Sequence, residues 1–178
     1  MEPLLIVCRS DKALAVKKAF LQYPQLYENV GLDIIPLEYT PKNLSKVSTF
    51  DGDYSALIKK GQQELIAFHR KIKSHGGRGD YWISITTGVV HHTFEPHSRQ
   101  VPLLTSLALV GRAGSTAIGL GPSVLASARM QEEPKLEGLI DKVTQGQIIS
   151  ETADYMAVTM ALALIISPEW YKLREYVK

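Results

Sequence analysis

The chain predicts an α/β fold: a mixed, twisted sheet flanked by helices, with a central cleft between two lobes. Three observations carry that prediction. The chain opens with a β-branched apolar run, an amphipathic stretch and a second apolar run, a β-α-β pattern. Its middle holds apolar segments separated by turn residues, as in an antiparallel meander. Its last third is dominated by Ser150 to Ile166, which has the length and composition of a buried helix.

The first strand is Leu4 to Cys8, ended by Arg9-Ser10-Asp11. Ala15, Val16, Ala19 and Phe20 follow at helical spacing and make one apolar face. Leu32 to Pro36 is a second strand, and Pro36, which cannot donate to a ladder, marks its end or an edge position. Between Pro41 and Tyr54 the chain is polar and aperiodic. Leu57, Ile58, Gly61, Leu65, Ile66 and Phe68 then recur at helical intervals, predicting a helix over Ser55 to Lys73. Ser74-His-Gly-Gly-Arg-Gly-Asp80 breaks it and leads into a strand around Trp82.

Glu95-Pro96 and Gly111 to Gly114 are turns, so the segments ending in Val89-Val90-His91-His92, Val101 to Val110 and Ser115 to Gly119 form the meander. Gly121-Pro122 reads as the opening of a helix over Ser123 to Gln131, with proline tolerated in a first turn. Leu136 to Val143, Ser150 to Ile166 and Pro168 to Tyr176 complete the helices. No linker divides the chain, so residues 1–178 read as a single domain.

Length and composition narrow the function. The chain has 178 residues, 45% of them apolar, enough for a substantial core. Twenty basic and 18 acidic residues leave a net charge of +2, so nucleic acid is not indicated. The lone cysteine, Cys8, has no intramolecular partner and lies in an apolar run, as a core residue does. The longest apolar run, Met156 to Ile166, is shorter than the roughly 20 residues a bilayer span requires. These features predict a soluble, cytoplasmic protein without membrane attachment.

Candidate chemistry is sparse. His91, His92, Glu95 and His97 form the densest set of metal-ligating side chains, but adjacent residues on a strand face opposite ways, which favours an exposed hairpin tip over a metal site. No Gly-x-Ser-x-Gly elbow or Walker-type loop is present. Ser123, at the start of its expected helix, stands where orphan N–H groups favour an anion. Lys12 follows the first strand, on the edge where open α/β sheets bind ligands; solvent exposure is its simplest accommodation.

Taken in order, these pieces resemble the inosine/xanthosine triphosphatase family over nearly the whole chain. Cys8-Arg-Ser-Asp-Lys12 followed by Ala15-Val-Lys-Lys-Ala-Phe20 is similar to the family's Ser-x-Asn-Pro-x-Lys segment and the helix behind it, with Arg9 in place of asparagine. Asp80-Tyr-Trp-Ile-Ser-Ile-Thr-Thr-Gly-Val89 resembles the family's central strand, with Thr86 where the family has glutamate. Gly114 to Leu125 and the closing Ala153 to Trp170 resemble further family segments. The family's acidic pair before its helix is missing from Gly52-Asp-Tyr-Ser-Ala-Leu-Ile-Lys-Lys-Gly61, and its Lys-Glu-Gly-Ala-Ile-Gly segment has shrunk to Thr144-Gln-Gly-Gln-Ile-Ile149.

The resemblance implies a cleft binding a purine nucleotide or another phosphorylated ligand through Arg9, Lys12, Thr86, Thr87, Ser115 and Ser123, and pairing as a homodimer. Val101 to Val110 could supply an interface, but a central strand buried by helices is its simpler account. Loss of the glutamates implies a divergent, non-catalytic domain that binds a ligand or a protein partner. The alternative is a hydrolase of inosine or xanthosine triphosphate whose magnesium or manganese site has moved to Asp51 and Asp53.

Overall fold

In a computed structural model, the structure describes residues 2–40, 48–49, 53–94, 99–129, 139–145 and 150–167. The strands are β1 (Leu4–Arg9), β2 (Leu32–Leu37), β3 (Ser48–Thr49), β4 (Tyr81–Phe94), β5 (Arg99–Arg112) and β6 (Ser115–Leu125). The described helices are α1 (Ala13–Phe20), α2 (Ser55–Ser74), α3 (Leu139–Val143) and α4 (Ser150–Ile166). The sheet order is β2-β1-β4-β5-β6, with β3 also on β4. β1 runs parallel to β2 and β4, β3 runs parallel to β4, and β4, β5 and β6 form an antiparallel meander. The sheet is therefore mixed and helix-flanked, as the sequence predicts.

Side-chain alternation along β4 sorts the core into two layers. Tyr81, Ile83 and Ile85 face α1 and α4, where they meet Phe20, Ala157, Ala161 and Leu162. The Phe20 and Tyr81 rings pack edge to face at 5.1 Å, an arrangement worth about 0.5–1.5 kcal/mol beyond area burial. Trp82 faces the other way, with Leu107 and Leu109 of β5, onto Leu57, Leu65 and Phe68 of α2. A smaller cluster joins Val89 and Leu104 to Leu139, Ile140 and Ala153. Ala15, Val16, Ala19 and Phe20 are all buried, as their spacing requires.

α4 carries apolar residues around its axis, broken by Glu151 and Asp154, and lies almost in backbone contact with β6. A Cβ on Gly119 would sit 1.9 Å from the Ala157 carbonyl oxygen, and one on Gly121 2.3 Å from that of Ala153. Only glycine lets the helix approach so closely.

Part of one expected helix is corrected. Of the helix placed over Ser123 to Gln131, Ser123 to Leu125 are instead the end of β6; Ala128 and Arg129 are helical, and residues 130–131 lie outside the described residues. Pro122 is tolerated because β6 is an edge strand, where a missing N–H costs no ladder bond. Val101 to Val110 follows its simpler account, a buried central strand: it belongs to β5, between β4 and β6, and Leu104 to Val110 are buried. β3, drawn from a polar stretch, was not anticipated. The terminal helix expected over Pro168 to Tyr176 lies outside the described residues, as does most of the connection before α3. Among the described residues, no helix is long and apolar enough to cross a membrane.

Candidate functional site at the split edge of the sheet

One edge of β4 pairs with β5 from Trp82 to Phe94. Its other edge is shared. β1 pairs there with Tyr81 and Trp82, through Ile6 and Val7, and β3 pairs with Val89 and Val90, through Ser48 and Thr49. Among the described residues, the stretch from Ile83 to Gly88 has no ladder partner on that edge. Asp80 fixes where β1 joins, since its Oδ2 accepts the Leu5 N–H at 2.8 Å while its own N–H donates to the Leu5 carbonyl at 2.8 Å. Past Val7, β1 leaves β4 and delivers Arg9, Asp11 and Lys12 to the split.

The polar groups there form two buried sets, one on each face of the sheet. On the α2 face, Arg9 Nε donates to Asp11 Oδ1 at 2.6 Å, and Arg9 Nη1 lies 3.9 Å from Glu64 Oε1. Ser84 Oγ donates to Glu64 Oε2 at 2.9 Å. On the α4 face, Lys12 Nζ donates to Asp154 Oδ2 at 2.7 Å, and Ser106 Oγ donates to Asp154 Oδ1 at 3.0 Å. Arg9, Lys12, Glu64 and Asp154 are each less than 10% exposed. Lys12 is thus not solvated, as sequence alone had it, but fixed in an ion pair. Burial of an isolated charge is prohibitive, and these cations and carboxylates neutralise one another instead.

Thr86 and Thr87 stand between the two sets. Thr86 is 4% exposed, and its hydroxyl donates to the carbonyls of Leu57 and Leu107 at 3.4 and 3.5 Å. Thr87 Oγ1 lies 3.5 Å from Ser106 Oγ. The centre of the predicted cleft is therefore filled by side chains at Thr86. Cys8, beside this network, is buried, and desolvation, helped by Asp11 and Glu64, pushes its thiol up to about 12. It is an inert core thiol, as its apolar surroundings indicated.

The remaining predicted residues lie elsewhere. Ser123 is on β6, where its hydroxyl bonds to that of Thr105 across the ladder; it opens no helix. Ser115 begins β6 at the hairpin with Arg112, past the N-terminal end of β4, whereas Arg9 and Lys12 stand beside its middle. Asp53 precedes α2, accepting the Ser55 N–H on Oδ1 at 2.8 Å and the Ser55 hydroxyl on Oδ2 at 2.9 Å. Those bonds hold its carboxyl below the usual range and give it a capping role. Asp51 lies outside the described residues. His92 is paired with Tyr54, Nε2 to hydroxyl at 3.2 Å, while Glu95 and His97 lie outside the described residues. Among the described residues, no group of three potential ligands converges on a metal position.

Sequence reasoning missed Glu64 and Asp154. Both had a readable signal: Glu64 falls on the apolar stripe of α2 with Leu57, Gly61, Leu65 and Phe68, and Asp154 interrupts an otherwise apolar α4. A carboxylate on a buried face requires a buried partner.

The arrangement defines an α/β domain with a mixed sheet split along one edge of its central strand. No family model matches the chain, and no curated protein matches it. Among solved structures, it is similar to protein VC0702 from Vibrio cholerae, with a TM-score of 0.63 and 14% sequence identity over 96% of this chain and 99% of that one. At that identity the likeness is one of fold.

Proposed function

We propose that the chain is a non-catalytic domain of inosine-triphosphatase-like fold that acts by binding a ligand or a protein. The observation carrying this reading is the pairing of Lys12 with Asp154 and of Arg9 with Glu64 around Thr86. Phosphoryl hydrolysis of this class needs a divalent cation on oxygen ligands. Here the buried carboxylates are already paired with protein cations, and threonine stands where the resembling family carries glutamate.

One observation favours the alternative, a metal-dependent hydrolase of inosine or xanthosine triphosphate. The charged groups at the split are Arg9 and Lys12 against Asp11, Glu64 and Asp154, two positive and three negative. That balance suits a cation better than a bare triphosphate. A metal using Asp53 would have to take its carboxylate from the Ser55 cap.

Phosphate and pyrophosphate release from inosine, xanthosine and ordinary purine triphosphates, with magnesium or manganese, decides between the two. The binding reading expects no release above a protein-free blank. Metal-dependent release that Asp53→Asn abolishes would sink it and establish the hydrolase.

A further inference from the structure

Away from the split, α2 and the β5–β6 hairpin enclose a groove of about 670 Å3. Its size lies within the range of small-molecule sites. Ile66, His69, Arg70 and Lys73 stand on one face of α2 at helical spacing, and Arg78 joins them from the turn before β4. Among the described residues, no acidic residue lines the groove, although the chain as a whole is nearly balanced in charge. Arg70, Lys73 and Arg78 are exposed, and Arg78 is held only by an exposed ion pair with Glu2, a contact that contributes little and yields readily to a ligand. Arg112, also on the lining, keeps its guanidinium over the Tyr81 ring, 5.1 Å from the centroid.

The floor carries a second signal. The His69 ring stacks on Trp82 with centroids 3.6 Å apart and planes 21° from parallel. Trp82 is 9% exposed and fixed in the core, whereas His69 is exposed. The imidazole thus presents a rigid, backed aromatic face to the groove, adjacent in sequence to one cation and a helical turn from another. A planar base stacks on such a face, and the phosphates attached to it are drawn to clustered cations.

We propose that this groove is a binding site for a nucleoside polyphosphate, with the base on His69 and the phosphates on Arg70, Lys73 and Arg78. Three cations around a bounded groove match a short phosphate chain rather than the long contact track of a nucleic-acid strand. The inference does not rest on the cleft being inactive: release of phosphate there would overturn the earlier reading and leave this one standing.

The test is titration of the full chain with adenosine triphosphate, inorganic triphosphate, adenosine and a single-stranded oligothymidylate, followed by calorimetry at low salt. The site expects saturable binding of adenosine triphosphate that weakens as salt rises. Arg70→Glu with Lys73→Glu should weaken it roughly tenfold or more, the scale of two reversed charges near a phosphate chain. His69→Ala should weaken adenosine triphosphate but leave inorganic triphosphate unchanged. These side chains are exposed, so thermal melts of the variants should match the parent; Arg70→Gln with Lys73→Gln serves should the double glutamate variant melt early. Absence of saturable binding by the parent chain, binding indifferent to both double variants, or oligothymidylate binding that exceeds adenosine triphosphate would each overturn the proposal.

Discussion

Beside the middle of β4, Arg9 and Lys12 are buried against Glu64 and Asp154; at its N-terminal end, Arg70, Lys73 and Arg78 stand exposed around a groove with no acid among the described residues of its lining. The same charge serves opposite purposes. A buried cation must be neutralised within the protein, and once neutralised it has little attraction left for an outside anion. An exposed cation is solvated at small cost and keeps its field for a ligand. The two cations that sequence nominated for phosphate, Arg9 and Lys12, are thus the ones structure has committed to internal pairing.

The comparison breaks most sharply at the buried pair. Lys12→Met or Asp154→Leu alone should each cost about 3–5 kcal/mol, because the partner is left buried and charged. The double variant should recover most of that loss, as urea unfolding will register. Strictly additive losses would mean that the two groups are not coupled.

Thr86→Glu probes the filled centre between the two sets. It places a carboxylate where the native hydroxyl is 4% exposed and bonded to backbone carbonyls. A loss of several kcal/mol and a sharply lowered Tm are expected. An unchanged Tm would mean that water reaches this position and that the cleft is open.

The smallest effect sharpens the groove end. Burial holds the His69 pKa below its ordinary value. The fold therefore favours the neutral ring, and this contribution is fully present above the ordinary value near 6.5 and lost as pH falls through the lowered folded value. Because the ring is exposed, the loss should be about a few tenths of a kcal/mol. His69→Phe should flatten that part of the stability profile between pH 7 and 5; a profile identical to the parent's would remove His69 as its source.

Much of the frame was legible because it rests on periodicity. β1, α1, β2, α2 and α4 each carry an apolar pattern that survives into the burial of their side chains. Ser123 failed because a Gly-Pro pair is ambiguous: it can open a helix or sit in an edge strand, and only the register with β5 resolves it. β3 has too few residues to carry a period. The site was less legible, since Lys12 and Asp154 meet across 142 positions of sequence. Arg70, Lys73 and Arg78 disappear into a total charge of +2 until α2 and the turn beside it set them on one groove.

The split edge also bears on how the molecule comes apart. The meander is knit by a ladder running from Trp82 to Phe94 and another from Leu103 to Leu125. Among the described residues, β1 and β2 join its ladder only at Ile6 and Val7, reinforced by the Asp80 clasp on Leu5, by Lys12 reaching Asp154 and by α1 packing Phe20 on Tyr81. A ladder that short is a seam. Transient opening should begin there, with β1, β2 and α1 peeling off as one cooperative piece while the hairpins stay closed. The buried ion pair of Lys12 with Asp154 would then serve as a rivet of that seam.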